Sequence, residues 1–304
     1  MSDRYDVVVA GGGIAGLTAG MFSARLGRST LILTGVVPGG LLLNIESIEG
    51  VPGFPEGVPG YELCPIAQEQ AEAAGAEFRM TEVSAFEQAG DGWRLETGEG
   101  EVEARAVIAA TGAELKHLDV PGEDRFRGKG VSHCATCDGP LLGERVVAVV
   151  GGGDSALQEA LTLAGFASEV IVIERGDALT AQESFKQRVE ENPKISVRTG
   201  ITVEEILGDE TVTGLRTSDG ELEVGAVFAY VGLRPNSDSL AELLELADDG
   251  RVPVDQEMRT ELPGLFAAGA LRSGAACQAS GSSGDGATAA KAVHRWLNGN
   301  GTGG

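Results

Sequence analysis

The sequence predicts an α/β chain of two Rossmann-like, three-layer ββα dinucleotide-binding domains, the second inserted in the first. Two observations carry this. A strand–glycine turn–helix unit occurs twice, and the tail reads as completing the first unit instead of founding a third. At 304 residues the chain also exceeds a typical single domain.

Tyr5 to Ala10 (YDVVVA) reads as a buried strand, followed by Gly11-Gly12-Gly13-Ile14-Ala15-Gly16, a helical stretch to about Gly27 and a strand from Ser29 to Leu33. From roughly Glu77 to Glu103 a glycine- and glutamate-rich segment reads as antiparallel strands. The apolar strand Ala104 to Ala110 then runs into Thr111-Gly112. The opening unit returns 140 residues on. Strand Arg145 to Val150 precedes Gly151-Gly152-Gly153-Asp154-Ser155-Ala156, a helix to about Gly165 and the strand Glu169 to Ile173. Strands over Val197 to Val231 follow, ending at Tyr230-Val231-Gly232-Leu233-Arg234-Pro235-Asn236. In the tail, Leu265 to Gly269 is a short strand with a glycine turn, and Gly286 to Leu297 a helix. The expected domains are 1–115 with 245–304, and 116–244.

Both glycine runs fit G-x-G-x-x-G/A between a strand and a helix. Such turns let backbone N–H groups approach a pyrophosphate, which then rests on the positive end of a helix. Chain reversal alone would explain one such run, but two in the same context argue for ligand binding.

Acidic residues outnumber basic ones, 46 to 23, for a formal net charge of −23. That field repels nucleic acid and anionic membranes, so neither is an expected partner. An acid excess with five lysines also suits a salty habitat. Met1 to Asp6 lacks the basic and apolar regions of a signal peptide, and no apolar run reaches the roughly eighteen residues of a membrane span.

Two of the four cysteines stand as Cys134-Ala-Thr-Cys137; Cys64 and Cys277 are isolated. A C-x-x-C pair closes a small ring and exchanges through a mixed disulfide, which points to redox chemistry in the cytoplasm. With no second C-x-x-C and three histidines, no metal site is expected. His133, beside the pair, reads as a partly buried histidine or, if charged, as a group that stabilises a thiolate; Cys64 reads as structural, and Cys277 as a small packed residue.

The stretches Val120-Pro121-Gly122-Glu123-Asp124, Gly128-Lys129-Gly130-Val131-Ser132-His133-Cys134-Ala135-Thr136-Cys137-Asp138-Gly139-Pro140 and Gly284-Asp285-Gly286-Ala287-Thr288-Ala289-Ala290 carry a resemblance. Along essentially its whole length the chain resembles the low-molecular-weight thioredoxin reductases, and the flavoprotein core of alkyl hydroperoxide reductase. The resemblance implies a homodimer acting on a thioredoxin-like protein or a small disulfide. It implies FAD at Gly11, Gly13, Ala15 and Gly16, lined by Gly39, Gly40, Thr111, Gly112, Gly269, Ala270 and Gln278. A second nucleotide would use Gly151, Gly153, Asp154, Ser155, Ala156, Glu174 and Arg175. It further implies that Cys137 faces the flavin, that Cys134 is the interchange thiol and that Asp138 moves the thiol proton; Asp138 also suits a plain turn position. The helix expected near Gly286 would lie by the flavin's pyrimidine edge. Two departures stand out: Ala270 replaces the family's Asp, and Cys277 its Arg before the glutamine, which would set Cys277 close to the flavin if it is not simply packed.

The electron donor stays open. Family members that use NADPH hold its 2′-phosphate with His-Arg-Arg and a further Arg, where this chain has Glu174-Arg175-Gly176 and Leu179-Thr180-Ala181. Glu174, 23 residues beyond Gly151, suits a ribose 2′-hydroxyl and repels a 2′-phosphate. NADPH is therefore disfavoured. NADH, a second dinucleotide such as FAD, and a ferredoxin-driven enzyme with a vestigial site all fit. A ferredoxin would need a basic patch, and Lys116, Arg125, Arg127 and Lys129 come nearest. A dithiol oxidase passing electrons to oxygen, and a flavin-bound redox relay, are the rival functions.

Overall fold

In a computed structural model that describes residues 3–300, the chain divides into two compact units, 1–114 with 234–304, and 115–233. The first begins with β1 (Asp3–Ala10), α1 (Ile14–Arg25), β2 (Thr30–Leu33), α2 (Gly60–Ala73) and β3 (Glu77–Arg79). It continues through β4 (Val83–Ala89), β5 (Gly92–Thr97), β6 (Gly100–Ala109) and β7 (Ala113–Leu115). The second holds α3 (Glu123–Phe126), β8 (Val131–Ser132), α4 (Ala135–Asp138), β9 (Val146–Val150), α5 (Asp154–Leu163), β10 (Glu169–Glu174), α6 (Glu183–Glu190) and β11 (Ile195–Thr199). The strands β12 (Val203–Gly208), β13 (Val212–Thr217), β14 (Gly220–Glu223) and β15 (Ala226–Ala229) follow. After β16 (Leu233–Pro235), which pairs with β7, the chain closes with β17 (Leu265–Ala267) and α7 (Ala279–Arg295).

Strand alternation explains the three layers. In β1, Val7 and Val9 pack with Ala15, Ala19 and Val293 of the helices, while Val8 and Ala10 pack with Trp93 and Leu95 of the β4–β6 meander. The parallel order β3-β2-β1-β6 ends on β17, which pairs with β6. Strand β6 changes partner along its length: residues 100–104 pair antiparallel with β5, and Val107 to Ala109 parallel with β17. The other unit repeats the plan in the order β11-β10-β9-β15-β8. Val147 and Val149 face Leu157 and Leu163 of α5; Ala148 and Val150 face Val203, Val212 and Leu215 of the β12–β14 meander. Both units are therefore Rossmann-like. No helix among the described residues is long and apolar enough to cross a membrane.

Three expectations need correction. The chain re-enters the first unit at Arg234, not 245, because Leu240, Leu244 and Val252 join that unit's meander-side core. Glu77 to Arg79 belongs to the parallel sheet through β2 and not to the meander. Helix α7 starts at Ala279 instead of near Gly286.

Candidate functional site

In the first unit, β1, β2, β6 and β17 run parallel, so their carboxyl ends share one edge. The residues beyond those ends, 11–13, 34–40, 110–112 and 268–270, gather in that crevice. Gly11 turns with φ of 127°, and a Cβ there would meet the Ala110 carbonyl oxygen at 2.0 Å. A Cβ on Gly16 would meet the Gly11 carbonyl oxygen at 1.9 Å, so both positions are closed to side chains. Gly39 donates its N–H to the Gly12 oxygen at 2.8 Å and bridges Gly13. Gly269 packs on Ala15, where a Cβ would approach the alanine Cβ to 2.8 Å. Thr111 and Gly112 are tied to Asn236, which takes a hydrogen bond from Thr111 Oγ1 at 2.7 Å and donates to the Thr111 and Gly112 oxygens at 2.9 and 3.0 Å.

The crevice fits a pyrophosphate. No side chain caps the start of α1, and a Cβ on Gly13 would meet nothing within 4 Å. The N–H groups of a buried helix start thus face open space, as anion binding requires. The structure brings together Gly11, Gly13, Ala15, Gly16, Gly39, Gly40, Thr111, Gly112 and Gly269, and these could hold FAD. Gln278 is the N-cap of α7, so the helix end that could face the flavin belongs to Gln278 and not to Gly286.

Sequence reasoning missed the polar scaffold around this crevice. Asp285, buried in α7, accepts hydrogen bonds from Arg272 Nε and Nη2, both at 2.7 Å, and from the Gly269 N–H at 3.2 Å. The carboxylate beside Arg272 pushes its pKa further up. The Gly-Asp-Gly run was the available signal. Cys277 is exposed with φ of 52°, which overturns its reading as a packed residue. At the two departures one side chain makes contact with both residues. Arg251 donates Nε to the Ala270 oxygen at 3.2 Å, and its Nη2 lies 3.7 Å from Cys277 Sγ. Asp249 accepts from the same guanidinium at 2.6 Å. The Arg251 guanidinium thus lies beside both departures, at a position with no sequence signal.

In the second unit, β9, β10 and β15 place the other predicted set at their carboxyl ends. Gly151, with φ of 131°, lies against the Tyr230 backbone, and Thr180 and Ala181 donate to the Gly152 oxygen at 2.8 and 3.0 Å. The start of α5 has no side-chain cap; Ser155 is exposed there, and Ala156 is buried in the turn's packing. Asp154 accepts from Gln182 N and Nε2, both at 2.7 Å. Glu174 folds over the glycine turn. Its Oε1 accepts the Gly176 N–H at 2.7 Å, and a Cβ on Gly152 would lie 2.6 Å from its Oε2. Arg175 is exposed.

Cys134 and Cys137 form a disulfide, with Cα atoms 5.3 Å apart, across the single turn of α4. The Cys137 N–H approaches Cys134 Sγ at 3.2 Å and the Asp138 N–H binds the Cys134 oxygen at 3.1 Å. Cys137 is exposed, while Cys134 and Asp138 are half-buried. His133 is half-buried, and burial holds its pKa below the usual value. Cys64 is buried in α2 with its thiol on the Gly39 oxygen at 3.6 Å.

Residues 5–293 match the model of the pyridine nucleotide-disulphide oxidoreductases. The chain is 39% identical over 300 residues to a thioredoxin reductase of Mycolicibacterium smegmatis, covering 96% of each. It is 37% identical over 303 residues to one of Treponema pallidum, covering 98% of each. A solved thioredoxin reductase of Lactococcus lactis superposes with a TM-score of 0.94 at 36% identity, covering 97% of this chain and 99% of the other.

Proposed function

The chain belongs to the pyridine nucleotide-disulphide oxidoreductase family and is a FAD-dependent disulfide oxidoreductase; on that premise we propose that it reduces the disulfide of a thioredoxin-like protein with electrons from NADH. The observation that carries the reading is the Cys134–Cys137 disulfide, closed across one turn with a sulfur-bearing residue exposed and Asp138 next in the chain. Glu174 supports the donor. Its carboxylate, aimed by the Gly176 N–H beside Gly152, suits a ribose 2′-hydroxyl and opposes a 2′-phosphate.

FAD would be held by the Gly11–Gly16 turn and the residues around it, and when bound it supplies the two-electron step between donor and disulfide. The chain's own residues do the rest. In the reduced pair, the Cys134 thiolate attacks one sulfur of the partner disulfide and the first partner thiolate leaves. Cys137 then attacks Cys134 Sγ, restoring the Cys134–Cys137 bond and releasing the second partner thiolate. The pair loses two electrons and the partner gains them, with Asp138 moving a proton of the pair. Two free thiols, Cys64 and Cys277, support a reducing cytoplasmic setting.

Anaerobic titration tests the proposal. One FAD per chain is expected, bleached by NADH at least tenfold faster than by NADPH. Cys134→Ser should abolish turnover of a thioredoxin-like disulfide while its flavin remains reducible. A flavin indifferent to both nucleotides removes NADH as donor, and oxygen uptake driven by a dithiol would replace the reductase with an oxidase. Normal turnover by Cys134→Ser ends the assignment of the interchange thiol.

A further inference from the structure

We propose that His117, Glu123 and His133 form a site for one divalent transition-metal ion of the Zn2+ class, one residue from Cys134. All three belong to the 115–233 unit. His117 comes from the turn after β7, Glu123 opens α3, and His133 links β8 to α4. Their ligand atoms lie within 4.8 Å of one another. His117 Nδ1 is 3.5 Å, and His133 Nε2 4.0 Å, from the same oxygen, Oε1 of Glu123. A tetrahedral ion with bonds of about 2.0–2.1 Å needs ligand atoms roughly 3.3 Å apart, so small side-chain rotations close the set.

Two features mark this as a built site. Glu123 is only 4% exposed, and its carboxylate is aimed by the Leu118 and Asp119 N–H groups at 3.0 and 2.9 Å, each oxygen keeping a second lone pair. His133 Nε2 is buried with no hydrogen-bond partner among the described residues. A buried nitrogen left unpaired beside a buried carboxylate calls for an ion or a water. The two imidazole rings meet edge to face, their centroids 5.7 Å apart. Two imidazoles and one carboxylate prefer Zn2+, Co2+ or Ni2+ to Mg2+ or Ca2+, and leave a fourth position for water. One cation competes. Arg127 Nη2 lies 3.1 Å from His117 Nδ1 and pairs with Asp124 at 2.9 Å. Both residues are exposed, so the guanidinium has water to swing into. The expectation of no metal rested on cysteine spacing and a count of histidines, and positions 117, 123 and 133 follow no ligand spacing that would have contradicted it.

Co2+ titration of the FAD-loaded, oxidised protein tests the site, because the Cys134–Cys137 bond keeps both sulfurs from ligating. A cobalt band beyond the flavin absorption should saturate at one ion per chain and vanish on adding Zn2+. His117→Ala and His133→Ala should each weaken binding about tenfold or more. Arg127→Ala should tighten it several-fold by removing the competing charge. The absence of a saturable band overturns the site, as does an affinity that neither histidine substitution changes, which is what ions scattered on the acidic surface would give. Should His133→Ala lose its fold or flavin, the exposed His117 and Arg127 decide the matter.

Discussion

If NADH is the donor, as proposed, Glu174 is the one half-buried carboxylate that would select it, and its placement gives the sign of a test. The Gly176 N–H fixes the group beside Gly152, where a like charge about 4 Å away costs several kcal/mol in a partly buried site before solvent screening reduces it. Glu174→Arg is therefore expected to raise NADPH affinity tenfold or more and to lower NADH affinity. Unchanged dissociation constants for both would remove the nucleotide from this turn. The two isolated cysteines divide in the same way. Burial pushes the Cys64 thiol up to about 11, so near pH 8 roughly one molecule in a thousand carries the reactive thiolate. Since a thiol reacts as its thiolate, the rate should climb about tenfold per pH unit until pH approaches 11. Alkylation of the oxidised native protein should mark one thiol per chain, the exposed Cys277, and two after unfolding; rapid double labelling of the folded protein would contradict the burial of Cys64. Cys134-Ala-Thr-Cys137 and the two glycine runs were legible because each chemistry needs fixed residue types at fixed spacing. The exposure of Cys277 and the Arg251 guanidinium beside it were not, since a contact across 26 residues leaves no local pattern.

Helix α7 shows where local preference gives way to packing. Ala279 to Asp285 reads ASGSSGD, a run rich in weak helix formers, which is why the sequence places the helix start only near Gly286. Yet α1 and α7 pack backbone against backbone: a Cβ on Gly286 would lie 2.2 Å from the Ala15 oxygen and 3.0 Å from the Ala19 nitrogen. Small residues permit that approach, and the Asp285 pair with Arg272 fixes the helix against the Gly269 turn. The contact repays the low propensity. β1, α1 and β2, and their counterparts β9, α5 and β10, were legible because hydrophobic periodicity and glycine turns agree there. Gly286→Ala has backbone and no flexible side chain to push aside. It is expected to cost about 2–3 kcal/mol in urea unfolding of this unit, with weaker FAD retention because the Gly269 and Ala15 contact shifts. A variant as stable as the parent, with flavin fully bound, would mean that α1 and α7 do not lie this close.

At the scale of the whole molecule, the two units follow one plan because the same strand alternation feeds a helix layer on one side and a meander on the other. The return point at Arg234 escaped sequence reading because Leu240, Leu244 and Val252 show their allegiance only by what they pack against. Charge acts at this scale too. With 46 acidic residues against 23 basic ones, negative charge is left in excess even where one arginine pairs with two carboxylates, as Arg94 does with Glu87 and Glu101. The ion pairs that do form are mostly half-exposed, as in Arg234 with Glu114 and Arg94 with Glu87. Such pairs contribute little, so uncompensated repulsion is the larger electrostatic influence on the folded state. Salt screens both, shortening the Debye length from about 10 Å at 0.1 M to about 3 Å at 1 M. Since the net of −23 outweighs the paired minority, the unfolding temperature is expected to rise by roughly 5 °C between 0.1 and 1 M KCl with FAD in excess. The same osmolality of a neutral solute separates screening from exclusion of solute from the surface, and should raise it less. A temperature that falls with salt would show that attractive pairs, and not the acid excess, dominate the electrostatics of this fold.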